Sequence, residues 1–148
     1  MPQPFSLTDL GIPEGSEIHK LADHCSRIRP LCFDDGECLI RAGDVVRTVY
    51  LVLRGGYVVE GGNGDAGAVL ERHEDPGVLM PSFVGEMAYL GGERRSATVR
   101  GVGPVYAMAI EPEDLDAVIA EFPLFTRILC RQFARRIRQM NHTLHDRN

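Results

Sequence analysis

No apolar run in this chain approaches the ~20 residues that a membrane span needs, so a spanning segment is excluded. The N-terminus, Met-Pro-Gln-Pro-Phe-Ser-Leu-Thr-Asp, carries no positive charge ahead of an apolar stretch and is not a secretory signal. The expected setting is therefore cytoplasmic. There is no excess of positive charge either. The chain has 16 basic against 21 acidic residues and a net charge of −5, which argues against a whole-domain footprint for DNA or RNA. No CxxC pair occurs among Cys25, Cys32, Cys38 and Cys130, so a disulfide framework is not expected and the thiols read as buried and free. A Ser/His/Asp or Cys/His set is missing, as is a His-x-His cluster with a carboxylate. His142 and His145 stand one helical turn apart without a third ligand. Catalysis and a bound metal or cofactor are accordingly not expected.

What is present fits one domain. The chain has 148 residues, with 44 % apolar and 25 % charged, ordinary values for a globular protein with a single filled core. Residues 1–15 read as an irregular N-terminal extension and 16–148 as the domain. Ser16 caps a short amphipathic helix over 17–27, with Ile18, Leu21, Ala22 and Cys25 at helical spacing. From Ile28 to Ile110 short apolar runs alternate with turn residues, the pattern of an all-β sandwich or barrel. The runs 29–33, 37–41, 48–54, 57–60, 68–73, 96–100 and 105–110 predict strands, with Gly55-Gly56 and 61–67 among the turns.

Helices return at the C-terminus. Pro112, Glu113 and Asp114 open one, with Leu115, Val118 and Ile119 as its apolar face. Pro123 starts another that runs to about His145. On it Phe125, Leu129, Phe133, Ile137, Met140 and Leu144 form one apolar stripe. At roughly 34 Å this helix is longer than packing on one small barrel requires. Six arginines (127, 131, 135, 136, 138 and 147) crowd the same end of the chain.

One stretch interrupts the β pattern. Gly85–Leu90 is built of helix formers, and Arg94-Arg95 then leads into Ser-Ala-Thr-Val. A short helix whose N-terminus faces an arginine makes an anion site, and phosphate is the expected anion. Gly85 lets the backbone come close to that ligand. Glu86 is wrong for a bare phosphate, but it suits a neighbouring sugar hydroxyl whose proton it accepts. Phosphate beside ribose means a nucleotide.

These residues resemble the phosphate-binding cassette of cyclic-nucleotide-binding domains, the family of bacterial cAMP-responsive regulators, kinase A regulatory subunits and nucleotide-gated channels. The resemblance rests on Gly85-Glu86-Met87-Ala88 and Arg95-Ser96-Ala97-Thr98-Val99, extends to Gly43-Asp44 and Gly55, and covers about residues 16–141. It implies a mainly β fold with flanking helices: an eight-stranded β-roll or jelly-roll barrel, a short cassette helix, an N-terminal helix and C-terminal lid helices. It further implies that Arg95 and Ser96 hold the phosphate. The backbone N–H groups of Glu86, Met87 and Ala88 cap it, and the Glu86 side chain takes the ribose 2′-hydroxyl. Ser96, with a hydroxyl and no methyl, favours cAMP, with cGMP the alternative. Arg136 falls where channel-type members stack an arginine on the purine, and Arg135 is its substitute if the helix is rotated. The segment from Val78 to Val84 is a longer and more apolar approach to the cassette than such domains usually have.

Two rival signals are weaker. Gly62–Gly67 matches the dinucleotide GxGxxG pattern, but a strand and not a helix follows it, so it reads as a hairpin loop. Related barrels serve as iron–sulfur or haem sensors, yet Cys25, Cys32 and Cys38 lack cluster-like spacing. The expected function is a non-catalytic cyclic-nucleotide sensor, the alternative a protein-interaction or dimerisation module. The partners expected are the nucleotide and, through the C-terminal helix, a second copy or an effector protein.

Overall fold

The computed structural model describes residues 1–61, 69–75, 77, 81–86, 89, 95 and 97–146, with side chains through 142. Its framework is one antiparallel sheet in which long and short strands pair. The strands are β1 (Gln3–Pro4), β2 (Arg29–Phe33), β3 (Cys38–Ile40), β4 (Val49–Gly61), β5 (Val69–His73), β6 (Ser82–Val84) and β7 (Ala97–Ile110). The order β1-β2-β7-β4-β5 forms the main path, with β3 on β7 and β6 on β4. Among the described residues three α-helices flank it: α1 (Glu17–His24), α2 (Pro112–Glu121) and α3 (Pro123–Asp146). Mainly β with flanking helices is thus the observed class. Among the described residues, no helix is long and apolar enough to cross a membrane.

Alternation along β4 sorts its side chains between two cores. Val49, Leu51 and Leu53 pack with Leu21, Met108, Leu115 and Phe125 under the helices. Val52 faces the other way, toward Phe33, Val99 and Val105. The pairing then slips: Val52 opposes Ala107 and Arg54 opposes Tyr106, so β4 carries one extra residue. A one-residue insertion turns every later side chain to the opposite face. Tyr57 and Val59 consequently join the second core. Both line the cavity in which the cassette residues meet.

Several expectations need correction. Gly55-Gly56 is not a turn, because β4 continues through it, with a shift of register against β7 between Arg54 and Gly56. Gly55 is there for proximity: its φ is +101°, and a Cβ on it would lie 2.3 Å from the Pro104 carbonyl oxygen and 2.9 Å from Val105 Cα. Gly55→Ala is expected to cost about 2 kcal/mol in urea denaturation, against about 1 kcal/mol for Gly36→Ala, where only the positive φ opposes the methyl. The N-terminal residues are not irregular. Gln3 and Pro4 pair with Cys32 and Leu31, and Leu7 and Ile12 are buried. Proline is tolerated there because β1 is an edge strand. Ser82–Val84, read as loop, is a strand on Tyr50–Val52. None of the thiols is fully buried. Cys25, Cys32 and Cys38 are half-buried and Cys130 is exposed, all four free. The GxGxxG segment at 62–67 lies outside the described residues.

Helix boundaries follow their signals. The Ser16 side chain accepts from the His19 N–H at 3.4 Å, and α1 ends at His24, short of the expected Arg27. Along α3 the apolar stripe begins in the core, with Phe125 and Leu129 buried, and leaves it, with Ile137 57 % and Met140 62 % exposed.

Candidate functional site

Arg95 stands two residues before β7 and is 7 % exposed. A turn fixes its backbone: the Arg95 N–H donates to Asp44 O at 3.2 Å, and the Gly43 N–H donates to Arg95 O at 2.8 Å. This explains the place of Gly43-Asp44 in the sequence pattern. The guanidinium is then aimed by three carbonyls. Nε donates to Val46 O at 2.9 Å, Nη1 to Gly85 O at 2.8 Å and Nη2 to Thr48 O. A guanidinium has five N–H groups, so each terminal nitrogen keeps a second one. Among the described residues no carboxylate pairs with this cation. Burial pushes its pKa below the usual arginine value, while Tyr50, Glu86 and Asp44 oppose that shift. A desolvated cation held only by dipoles is a receptor for an anion.

Gly85 makes the arrangement possible. Its φ is +92°, and a Cβ would stand 2.6 Å from Arg95 Nη1 and 3.0 Å from Ile40 Cδ1. Glu86 follows in helical conformation and is 2 % exposed. Its Oε1 lies 2.9 Å from Arg136 Nη2, yet among the described residues it accepts no hydrogen bond. The guanidinium comes close enough for charge attraction but off the N–H axis. A buried carboxylate oxygen thus retains a lone pair for a hydroxyl. Met87, Ala88 and Ser96 lie outside the described residues.

Arg95, Gly85, Glu86 and Arg136 all border one cavity of about 330 Å³. Its floor is set by strand register. Val99, Val59 and Glu71 stand opposite one another across β7, β4 and β5, with Tyr57 and His73 in the next row. A largely apolar lining, a buried cation and a buried acceptor together match the makeup of a small-molecule pocket. Of the two arginines proposed as lid, α3 brings Arg136 to this cavity. Arg135 faces a neighbouring groove.

Four contributors were not singled out in the sequence. The His73 ring stacks on Tyr57 with centroids 4.6 Å apart, and its Nε2 lies 2.9 Å from Glu71 Oε2. Burial raises the Tyr57 pKa, with Glu86 and Glu71 adding to the effect. Gln132 of α3 bonds the backbone of β6 from both ends of its amide: the Phe83 N–H donates to Oε1 at 2.5 Å, and Nε2 donates to Phe83 O at 3.0 Å. Only the strand alternation of β5, which puts Glu71 and His73 on one face, hinted at any of them. At the far end of the cassette, the Tyr89 hydroxyl donates to Asp116 of α2. Burial and that carboxylate push its pKa up to about 12.

The family model described as "cyclic nucleotide-binding domain" matches residues 30–122. Among curated proteins, cyclic nucleotide-gated channel alpha-2 of Bos taurus is 25 % identical over 130 residues, covering 84 % of this chain and 19 % of the channel. Cyclic nucleotide-gated channel alpha-4 of Mus musculus is 24 % identical, covering 80 % and 20 %. The chain therefore spans about a fifth of the length of these relatives. Among solved structures, the catabolite activator protein of Thermus thermophilus has a TM-score of 0.68 at 25 % identity, covering 90 % of this chain and 58 % of that one. The regulatory domain of Toxoplasma gondii PKA with cAMP shares the fold, with a TM-score of 0.57 at 21 % identity over 84 % and 47 %. With well over half its length matched by the family model, and with a β-roll built around a buried arginine, this chain belongs to the cyclic nucleotide-binding domain family.

Proposed function

We propose that the chain is a cyclic-nucleotide sensor module that binds cAMP, with cGMP as the alternative ligand. The observation that carries this reading is the pair of buried and incompletely satisfied charges bordering one cavity, Arg95 and Glu86. A ring phosphate completes the first, and the ribose 2′-hydroxyl completes the second. Met87, Ala88 and Ser96 are assigned to the phosphate by the family pattern. Arg136, 2.9 Å from Glu86, is the candidate to lie over the base. Closure of α3 is then a population shift, limited by how much more tightly the closed form holds ligand. The role is one of binding and not of catalysis, in a cytoplasmic setting and without a cofactor.

Isothermal titration with cAMP, cGMP and 5′-AMP tests the reading. Saturable binding of a cyclic nucleotide, with 5′-AMP much weaker, is the expected result. Absence of binding by both cyclic nucleotides overturns it.

Output is assigned to α3. Phe133 is half-buried, while Ile137 and Met140 continue its stripe into solvent. This favours a second copy of the chain or an effector protein on that face, and light scattering with and without nucleotide distinguishes the two.

A further inference from the structure

A second cavity, of about 620 Å³, opens on the outer side of α3, between that helix, the start of α1, the end of β5 and the start of β6. Its volume is nearly twice that of the pocket around Arg95. Arg127, Arg131 and Arg135 line it at four-residue intervals, and Arg72 of β5 joins them. Two carboxylates border it as well, Glu17 and Glu74, and the Glu17 carboxylate lies 3.7 Å from Lys20 Nζ. Among the described residues no carboxylate pairs with Arg72, Arg127 or Arg135. A chain of net charge −5 thus gathers four guanidiniums around one groove.

Like charges four residues apart repel. Arg127 is the fifth residue of α3, whose first turn holds no acidic residue. An anionic partner offsets the mutual repulsion of these guanidiniums. One helical turn is about 5.4 Å and four residues about 6 Å. In an extended strand, residues on one side recur every ~6.6–6.8 Å. An extended segment with an acidic residue at every second position therefore keeps step with Arg127, Arg131 and Arg135. Ile18, Leu124 and Ile128 add an apolar lining to the groove.

We propose that this groove binds an extended acidic peptide segment of a partner protein, at a site separate from the nucleotide pocket. Fluorescence anisotropy with a labelled peptide of alternating Glu and Ser tests it, with a Lys/Ser peptide of equal length and a labelled oligothymidine as comparators. The acidic peptide is expected to bind alone of the three and to weaken as salt rises. Joint Arg127→Glu, Arg131→Glu and Arg135→Glu substitution should lower its affinity by about tenfold or more. Arg138→Glu, on the same helix outside the groove, should leave affinity nearly unchanged. If the triple variant does not fold, as judged by circular dichroism, the Arg127→Gln/Arg135→Gln double variant is expected to show the same loss. Absence of peptide binding, equal loss on Arg138→Glu, or preference for the oligonucleotide overturns the proposal.

Discussion

Replacing Arg95 by alanine is expected to remove cyclic-nucleotide binding almost completely. Taking away one partner of a buried, hydrogen-bonded charge pair costs about 3–5 kcal/mol. At about 1.4 kcal/mol per decade, that lowers affinity by roughly two to three and a half orders of magnitude. The loss is large because nothing else among the described residues offers the pocket a cation in that position. Arg136 is engaged with Glu86 at 2.9 Å, on the opposing helix. Arg95→Lys should recover little. A single ammonium has no planar fork with which to reach Val46, Thr48 and Gly85 and still face an anion. Titration calorimetry checks the affinity, and circular dichroism checks that the variants are folded. If Arg95→Ala binds cAMP within a few-fold of the native chain, the phosphate assignment fails.

Glu86→Gln has the second largest expected effect, and it works in two directions. A hydrogen bond to a charged acceptor contributes about 1.5–3 kcal/mol, so affinity for cAMP should fall by roughly ten- to a hundredfold. The empty protein should meanwhile lose no stability, or gain about 1 kcal/mol, since an under-bonded carboxylate no longer has to be buried. Arg136 tolerates the loss of its counter-charge because its side chain is 36 % exposed and reaches water. The diagnostic comparison uses 2′-deoxy-cAMP. The native chain should bind it much less well than cAMP, whereas Glu86→Gln should hardly distinguish the two. A variant that still discriminates strongly would show that the carboxylate does not read the 2′-hydroxyl.

The cassette was legible because its chemistry is local in the chain. Gly85, Glu86 and Arg95 lie close together in sequence, and each residue type is tied to a single physical task. Residues that reach the pocket by strand pairing left no such trace. Tyr57 and Val59 face it only because β4 carries one extra residue, and no local spacing announces a slip in register. Glu71 and His73 depend on the pairing of β5 with β4, and Gln132 on where α3 crosses β6. Gly55-Gly56 misled for a related reason. Glycine pairs signal reversals, but here the missing side chain admits the Pro104 backbone within an unbroken strand. The N-terminal residues misled through composition, since prolines suited to a loop also suit the rim of a sheet.

Gln132 gives α3 and the cassette a shared mechanical fate. By imitating a neighbouring strand at Phe83, its amide fastens the helix to the peptide unit just ahead of Gly85. Any displacement of β6 at Phe83 must either carry α3 along or break two hydrogen bonds. Motion of β6 and motion of α3 are thereby coupled through one side chain.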